Sequence, residues 1–146
     1  MRNPIKSLLN IKIWKEDEAK SRFAVLLREL ASEEKRLYDL EEEITGTGKK
    51  MECDADELVD VEEIKRLNKY MERVLLEIHK QRRTISDKAK HVEIARIALV
   101  EASKEKKVFE KLDEKNKAAL KKEFERKEQI GTDEHAVTGH NRKTKA

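Results

Sequence analysis

The feature that most limits how this chain can fold is a pair of apolar stripes whose members recur in alternating steps of four and three. The first runs Ile5, Leu9, Lys12, Glu16, Ala19, Phe23, Leu26, Leu30, Glu33, Leu37, Leu40, Ile44, and nine of these twelve positions are apolar. The second runs Ile64, Leu67, Met71, Val74, Ile78, Gln81, Ile85, Lys88, Val92, Ala95, Leu99, Ala102, Lys106, Phe109, with eleven of fourteen apolar. Such a stripe is the seam of a coiled coil, because a 3.5-residue repeat keeps one narrow face of a helix turned toward a partner. Ile11, Ile13 and Trp14 lie off the seam, so the opening turns carry a second apolar face. After Phe109 the spacing reads as a one-step slip to Leu112, Asn116 and Ala119, with Leu120 and Phe124 beyond, a stammer-like change of supercoil.

Composition points the same way. Charged residues make up 45% of the chain and apolar ones 37%, against about 25% and 45–50% in ordinary globular domains. That excludes a conventional compact core. Four glycines and one proline in 146 residues favour long helices over disorder.

Local signals set the expected boundaries. Asn3 before Pro4 suits a helix start, Gly46 suits a helix stop, and Asp54 with Glu57 has capping-box spacing. The expected fold is all-α, a single domain made of a two-helix antiparallel coiled-coil hairpin with a longer C-terminal helix. Helix 1 is expected over about 4–45, a turn over 46–56, helix 2 over 57–130 and a frayed tail over 131–146. Pairing outward from that turn puts Ile44 near Leu58 and Ile5 near Ile97. The stretch from about Ala98 to Ile130, with Phe109, Leu112, Leu120 and Phe124, then has no partner in the chain. An unpaired amphipathic helix requires another protein or a second copy of itself.

Charge divides along the chain. Seven acids and no base fall between Glu52 and Glu63, whereas ten bases and six acids fall between Lys104 and Lys127. The basic stretch could meet nucleic acid, anionic lipid or an acidic protein. Its interleaved glutamates and the lack of stacking aromatics argue against nucleic acid, so none is expected as a partner. Enzyme chemistry is not expected either. The chain has no phosphate-binding glycine loop, no GxGxxG, no HExxH and no GxSxG. His79 and His91 are twelve residues apart, His135 and His140 fall in the tail, and Cys53 stands alone. No metal, cofactor or catalytic group is therefore expected. No apolar run is long enough to span a bilayer, so direct membrane insertion is not expected and the cytoplasm is the expected compartment. Tyr38 and Tyr70 border the seam beside Leu37 and Met71, as interface aromatics often do.

The segment from Ala98 to Lys115, ALVEASKEKKVFEKLDEK, resembles the L-x-x-A-x-x-E/R-x-K-x-x-E-K-L-x-E-K pattern of the FliJ family, coiled-coil proteins of the bacterial flagellar export apparatus. The stretch from Arg126 to Ala136 is similar to that family's closing E-Q-K-x-x-D-E-x-A, although Gly131-Thr132 departs from its usual helix-compatible pair. The opening from Asn3 to Lys12 is similar to its short apolar start. The resemblance implies a non-enzymatic stalk and chaperone of type III protein export, similar to the central stalk of rotary ATPases. It implies binding to a hexameric export ATPase, to the cytoplasmic domain of the export-gate membrane protein and to export chaperones. It also implies a chain that is monomeric when free and held at the inner membrane through the apparatus. Candidate ATPase-ring contacts are Lys104, Lys107, Phe109, Lys111, Leu112, Lys115, Leu120 and Phe124. Candidate gate contacts, mapped onto the turn-proximal half, are Leu37, Tyr38, Leu40, Tyr70 and Val74. The alternatives are a homo-oligomeric coiled-coil adaptor and the equivalent stalk of a virulence secretion system.

Overall fold

A computed structural model describes residues 4–55 and 60–144, with side chains over 4–52 and 60–140. These residues form two helices, α1 (Pro4–Ala55) and α2 (Val61–Thr144), and no strand occurs among the described residues. The two long helices pack against each other as an all-α hairpin. Pro4 opens α1, where its missing N–H costs no hydrogen bond. Asn3, the expected cap, lies outside the described residues.

Three expected boundaries move. α1 does not stop at Gly46 but continues to Ala55, so most of the expected turn is helix. Two causes act together. Thr47, Gly48 and Met51 are half-buried, which carries the seam past Ile44, and no glycine takes a positive φ. Asp54 belongs to α1, and its expected capping partner Glu57 lies outside the described residues. The residue that caps α2 is Asp60, whose carboxylate Oδ1 accepts from the Glu62 N–H at 3.0 Å. Its carbonyl accepts from the Glu63 and Ile64 N–H groups at 3.1 and 3.3 Å. Glu62 and Glu63 add negative charge where the helix dipole is positive. At the far end α2 runs through Gly131 to Thr144, so most of the expected frayed tail is helix. There the Thr132 and Thr138 hydroxyls donate back to the Glu128 and Glu134 carbonyls, and the Gln129 amide donates to Asp133.

Contacts gather into two compact units. A turn-proximal unit comprises Asp17–Glu101, and a terminal unit comprises Met1–Glu16 with Ala102–Ala146. In the turn-proximal unit every expected seam position is buried or half-buried. Its core is Leu40, Val74 and Ile78, with Leu37 and Ile44 packed against it. Ile44 meets this cluster, and Leu58, its expected neighbour, lies outside the described residues. The helices run antiparallel, as shown by Glu43 with Tyr70, Glu33 with Gln81 and Glu29 with Lys88. Gln81 is buried in the seam, and its amide donates to both the backbone carbonyl and the carboxylate of Glu33. A buried amide is tolerated there because its donors are satisfied.

The terminal unit has a different seam. Ile5, Leu9, Lys12 and Glu16 face Ala102, Lys106, Phe109, Asp113 and Asn116, all buried or half-buried. The expected slip does not occur. Asp113 holds the position four after Phe109 and is buried, whereas Leu112 remains exposed. Fourteen earlier seam positions fix the rotational phase of a continuous helix, and one leucine cannot turn it. Lys12 reaches Glu105 and Phe109, which places the start of α1 against residues well beyond Ile97. The stretch of α2 lacking half-buried side chains therefore begins at Lys117, not at Ala98, and extends through His140.

Candidate functional site

The terminal unit concentrates the unusual electrostatics. It carries 17 Lys and Arg against 10 Asp and Glu, and the turn-proximal unit 17 against 21. Its seam contains an ion pair, Lys106 Nζ to Glu16 Oε1 at 2.8 Å, with the Glu16 side chain only 6% exposed. Lys106 also lies 3.7 Å from Glu110 on its own helix. Lys12 donates to Glu105 at 2.9 Å and stands 5.5 Å from the centre of the Phe109 ring, a cation–π distance. The hydrogen bond from Lys12 holds the Glu105 carboxyl below its usual pKa, helped by the charges of Lys12 and, more weakly, Lys15. Asp113 pairs through Oδ2 with Lys117 at 3.2 Å, while its buried Oδ1 has no hydrogen-bond partner.

The candidate ring contacts divide accordingly. Phe109 is half-buried beneath Lys12 and supports the helix pairing. Lys104, Lys107, Lys111 and Lys115 stand on the exposed faces of α2, and Leu112 borders its seam. Leu120 and Phe124, 60% and 62% exposed, lie on the part of α2 with no helix against it. The structure thus keeps this set on one helix and removes one member, Phe109, into the seam.

The candidate gate contacts also split. Leu40 and Val74 are core residues, and Leu37 packs against them, so all three are occupied by the hairpin itself. Tyr38 is exposed. Tyr70 donates its hydroxyl to Glu43 at 2.9 Å and borders a shallow hollow of about 260 Å³ with Arg73, Val74 and Glu77. That hydrogen bond is the main cause of a Tyr70 pKa above the usual 10.0, with desolvation and the charges of Glu43 and Glu77 adding to it.

The residues that sequence reasoning missed are the cross-helix pairs. Glu16 with Lys106, and Lys12 with Glu105, depend on a register that the misplaced turn had shifted. For Glu16 and Lys106 the signal is present as opposite charges at seam positions of the two stripes, whereas Glu105 lies one residue before the seam.

Among the described residues no three His, Cys, Asp or Glu side chains are grouped to hold a metal ion. Among the described residues, too, no helix is long and apolar enough to cross a membrane. A family model described as Flagellar FliJ protein matches residues 1–145. No curated protein and no solved structure matches the chain.

Proposed function

Because this chain belongs to the flagellar FliJ family, whose members serve flagellar protein export as non-catalytic stalk and chaperone proteins, we propose that it couples the hexameric export ATPase to the export gate. The terminal unit and the stretch of α2 from Lys117 onward engage the ATPase ring. Lys107, Leu120 and Phe124 are its contact residues there. The turn-proximal unit offers Tyr38 and Tyr70 to the cytoplasmic domain of the gate protein, and export chaperones dock on the same chain. The chain is held at the inner membrane through these partners.

The observation that carries this reading is the state of α2 beyond Asn116, where every described side chain through His140 is exposed on a helix that is nonetheless continuous. Intrahelical pairs such as Arg126 with Glu123 keep it helical without a core. Its first three turns, Lys117 to Lys127, carry five bases against two acids, which suits an acidic ring lining. The adaptor reading fits this stretch less well. Continuing the seam would require Leu120, Glu123, Lys127, Ile130, Glu134 and Val137 to face a second copy, and half of those are charged.

The test adds the full chain to the purified ATPase subunit and measures hexamer formation and ATP turnover. Both should rise, and Leu120→Ser with Phe124→Ser should abolish the rise. No change on adding the unaltered chain ends this reading. Analytical ultracentrifugation separates the adaptor, which predicts a stable dimer at micromolar concentration.

A further inference from the structure

The terminal unit has an uncovered apolar flank that neither the helix pairing nor the contacts proposed for the stalk explain. Lys15 and Glu105 each stand one residue before a seam position, Glu16 and Lys106, and in this antiparallel pair such positions share a flank, as Glu43 and Tyr70 do before Ile44 and Met71. Leu8 precedes Lys15 by one heptad and Leu112 follows Glu105 by one heptad, which puts both on that flank. Ile11 and Val108 sit one step farther out, and Trp14 follows Ile11 by one turn. All five are exposed, from 42% at Leu112 to 61% at Trp14.

The charge around these side chains has one sign. From Pro4 to Lys15 there is no acidic residue, and Lys15, Lys111 and Lys115 stand exposed beside the apolar set. Glu105, the acid on this flank, is engaged by Lys12. A helix with Leu, Ile and Trp on one face, flanked by lysines and free of acids, is the composition that settles into a lipid interface. A second copy is a poor occupant, because a two-fold contact through this flank would face the unit's excess of seven positive charges with seven more.

We propose that this flank docks on an anionic lipid bilayer, with Leu8, Ile11, Val108 and Leu112 entering the interface and Lys15, Lys111 and Lys115 contacting headgroup phosphates. The contact is interfacial and does not span the bilayer. It does not rest on the stalk reading, since it needs no other protein.

Trp14 is the one tryptophan in the chain and reports on the site directly. The full chain is titrated with vesicles of phosphatidylcholine alone and of phosphatidylcholine with about 30% phosphatidylglycerol, a surface charge of the kind that attracts basic segments. Trp14 emission should shift to the blue and the protein should co-sediment with the anionic vesicles only, with binding that falls as salt rises. Leu8→Ser with Ile11→Ser, checked for unchanged helicity by circular dichroism, should weaken partitioning by about tenfold or more. Lys111→Gln with Lys115→Gln should weaken it by about fivefold per lysine.

Absence of binding to anionic vesicles at low salt overturns the proposal. So does undiminished binding of the Leu8→Ser, Ile11→Ser variant, which would mean diffuse charge attraction. A Trp14 shift that grows with protein concentration alone assigns the flank to a second copy. A shift produced by the ATPase but not by vesicles assigns it to protein. Both outcomes also overturn the proposal.

Discussion

The two units join the same helices in opposite ways. In Asp17–Glu101 the expected seam is apolar except for Glu33, Gln81 and Lys88, and the unit is net acidic. In the terminal unit Lys12, Glu16, Lys106, Asp113 and Asn116 occupy five of the nine seam positions, and the unit is net basic. Burial of Leu, Ile and Val is non-directional and strong. Charges in a seam stabilise only when each finds its partner, and replacing them with apolar residues is often neutral or favourable. The turn-proximal unit is thus the source of stability. The terminal unit trades stability for a fixed register and for a net basic surface.

The sharpest way to break this contrast is to truncate matched apolar positions. Ile78 is 6% exposed in the turn-proximal core, and Ile78→Ala should cost about 2–5 kcal/mol. Leu9→Ala, at a half-buried position in the terminal seam, should cost distinctly less. Urea unfolding of both variants measures the difference, and equal losses would end the division of labour.

Next in size is the Glu16–Lys106 pair. Glu16→Ala removes the 2.8 Å partner of the partly desolvated Lys106, and should cost about 1–3 kcal/mol. Replacing both by leucine should restore or raise stability, because the apolar pair needs no desolvation of charge. Thermal unfolding of the single and double variants decides. A double variant less stable than the single one would show that the pair contributes net stability rather than register.

The seam itself was legible in the sequence. All twenty-six stripe positions are buried or half-buried, charged ones included, because periodicity fixes the buried face whatever residue occupies it. The turn was not legible, and the reason is physical. Gly46 and Gly48 read as a stop, but neither takes a positive φ, and seam contacts at Thr47 and Met51 carry the helix on. Tertiary packing overrode a local signal worth about 1 kcal/mol per glycine. That one displacement moves every expected cross-helix partner, so the stretch from about Ala98 to Ile130 reads as an overhang while Lys106 and Phe109 within it are in fact paired. The apparent slip at Leu112 failed for a related reason. It treated an apolar flank as seam, and the flank is what the lipid proposal now rests on. Of the candidate gate set, Tyr38 and Tyr70 were placed correctly at the seam's edge because their position depends on helical phase alone.

The glycines turn this lesson into a measurement. A Cβ added at Gly46 or at Gly48 meets nothing within 4 Å. Alanine there removes the entropy cost of glycine without a clash, so Gly46→Ala and Gly48→Ala should each stabilise by about 0.5–1 kcal/mol. Both effects should appear in the turn-proximal unit's unfolding transition. Destabilisation by either would mean that the helix is not continuous through 46–48.

The smallest expected effect sharpens the comparison at the level of single carboxylates. Glu105 and Glu93 both have pKa values below the usual 4.5, each first because a neighbouring cation donates a hydrogen bond. The cation for Glu93 is Arg96 on the same helix, whereas for Glu105 it is Lys12 on the other. A carboxylate whose folded pKa is depressed contributes stability that is present above its unfolded value of 4.5 and is lost as pH falls through the folded value. Acidification below about pH 4.5 should therefore loosen α1 from α2 through Glu105, while protonating Glu93 weakens only α2 locally. Both groups are exposed to solvent, so each contribution is small and screened by salt. Amide exchange over Leu9–Glu16 should accelerate between about pH 5 and pH 3 beyond the intrinsic trend. Glu105→Gln should remove that extra acceleration and Glu93→Gln should leave it intact. An equal response to both substitutions would show that the Lys12–Glu105 contact does not help to hold the terminal unit together.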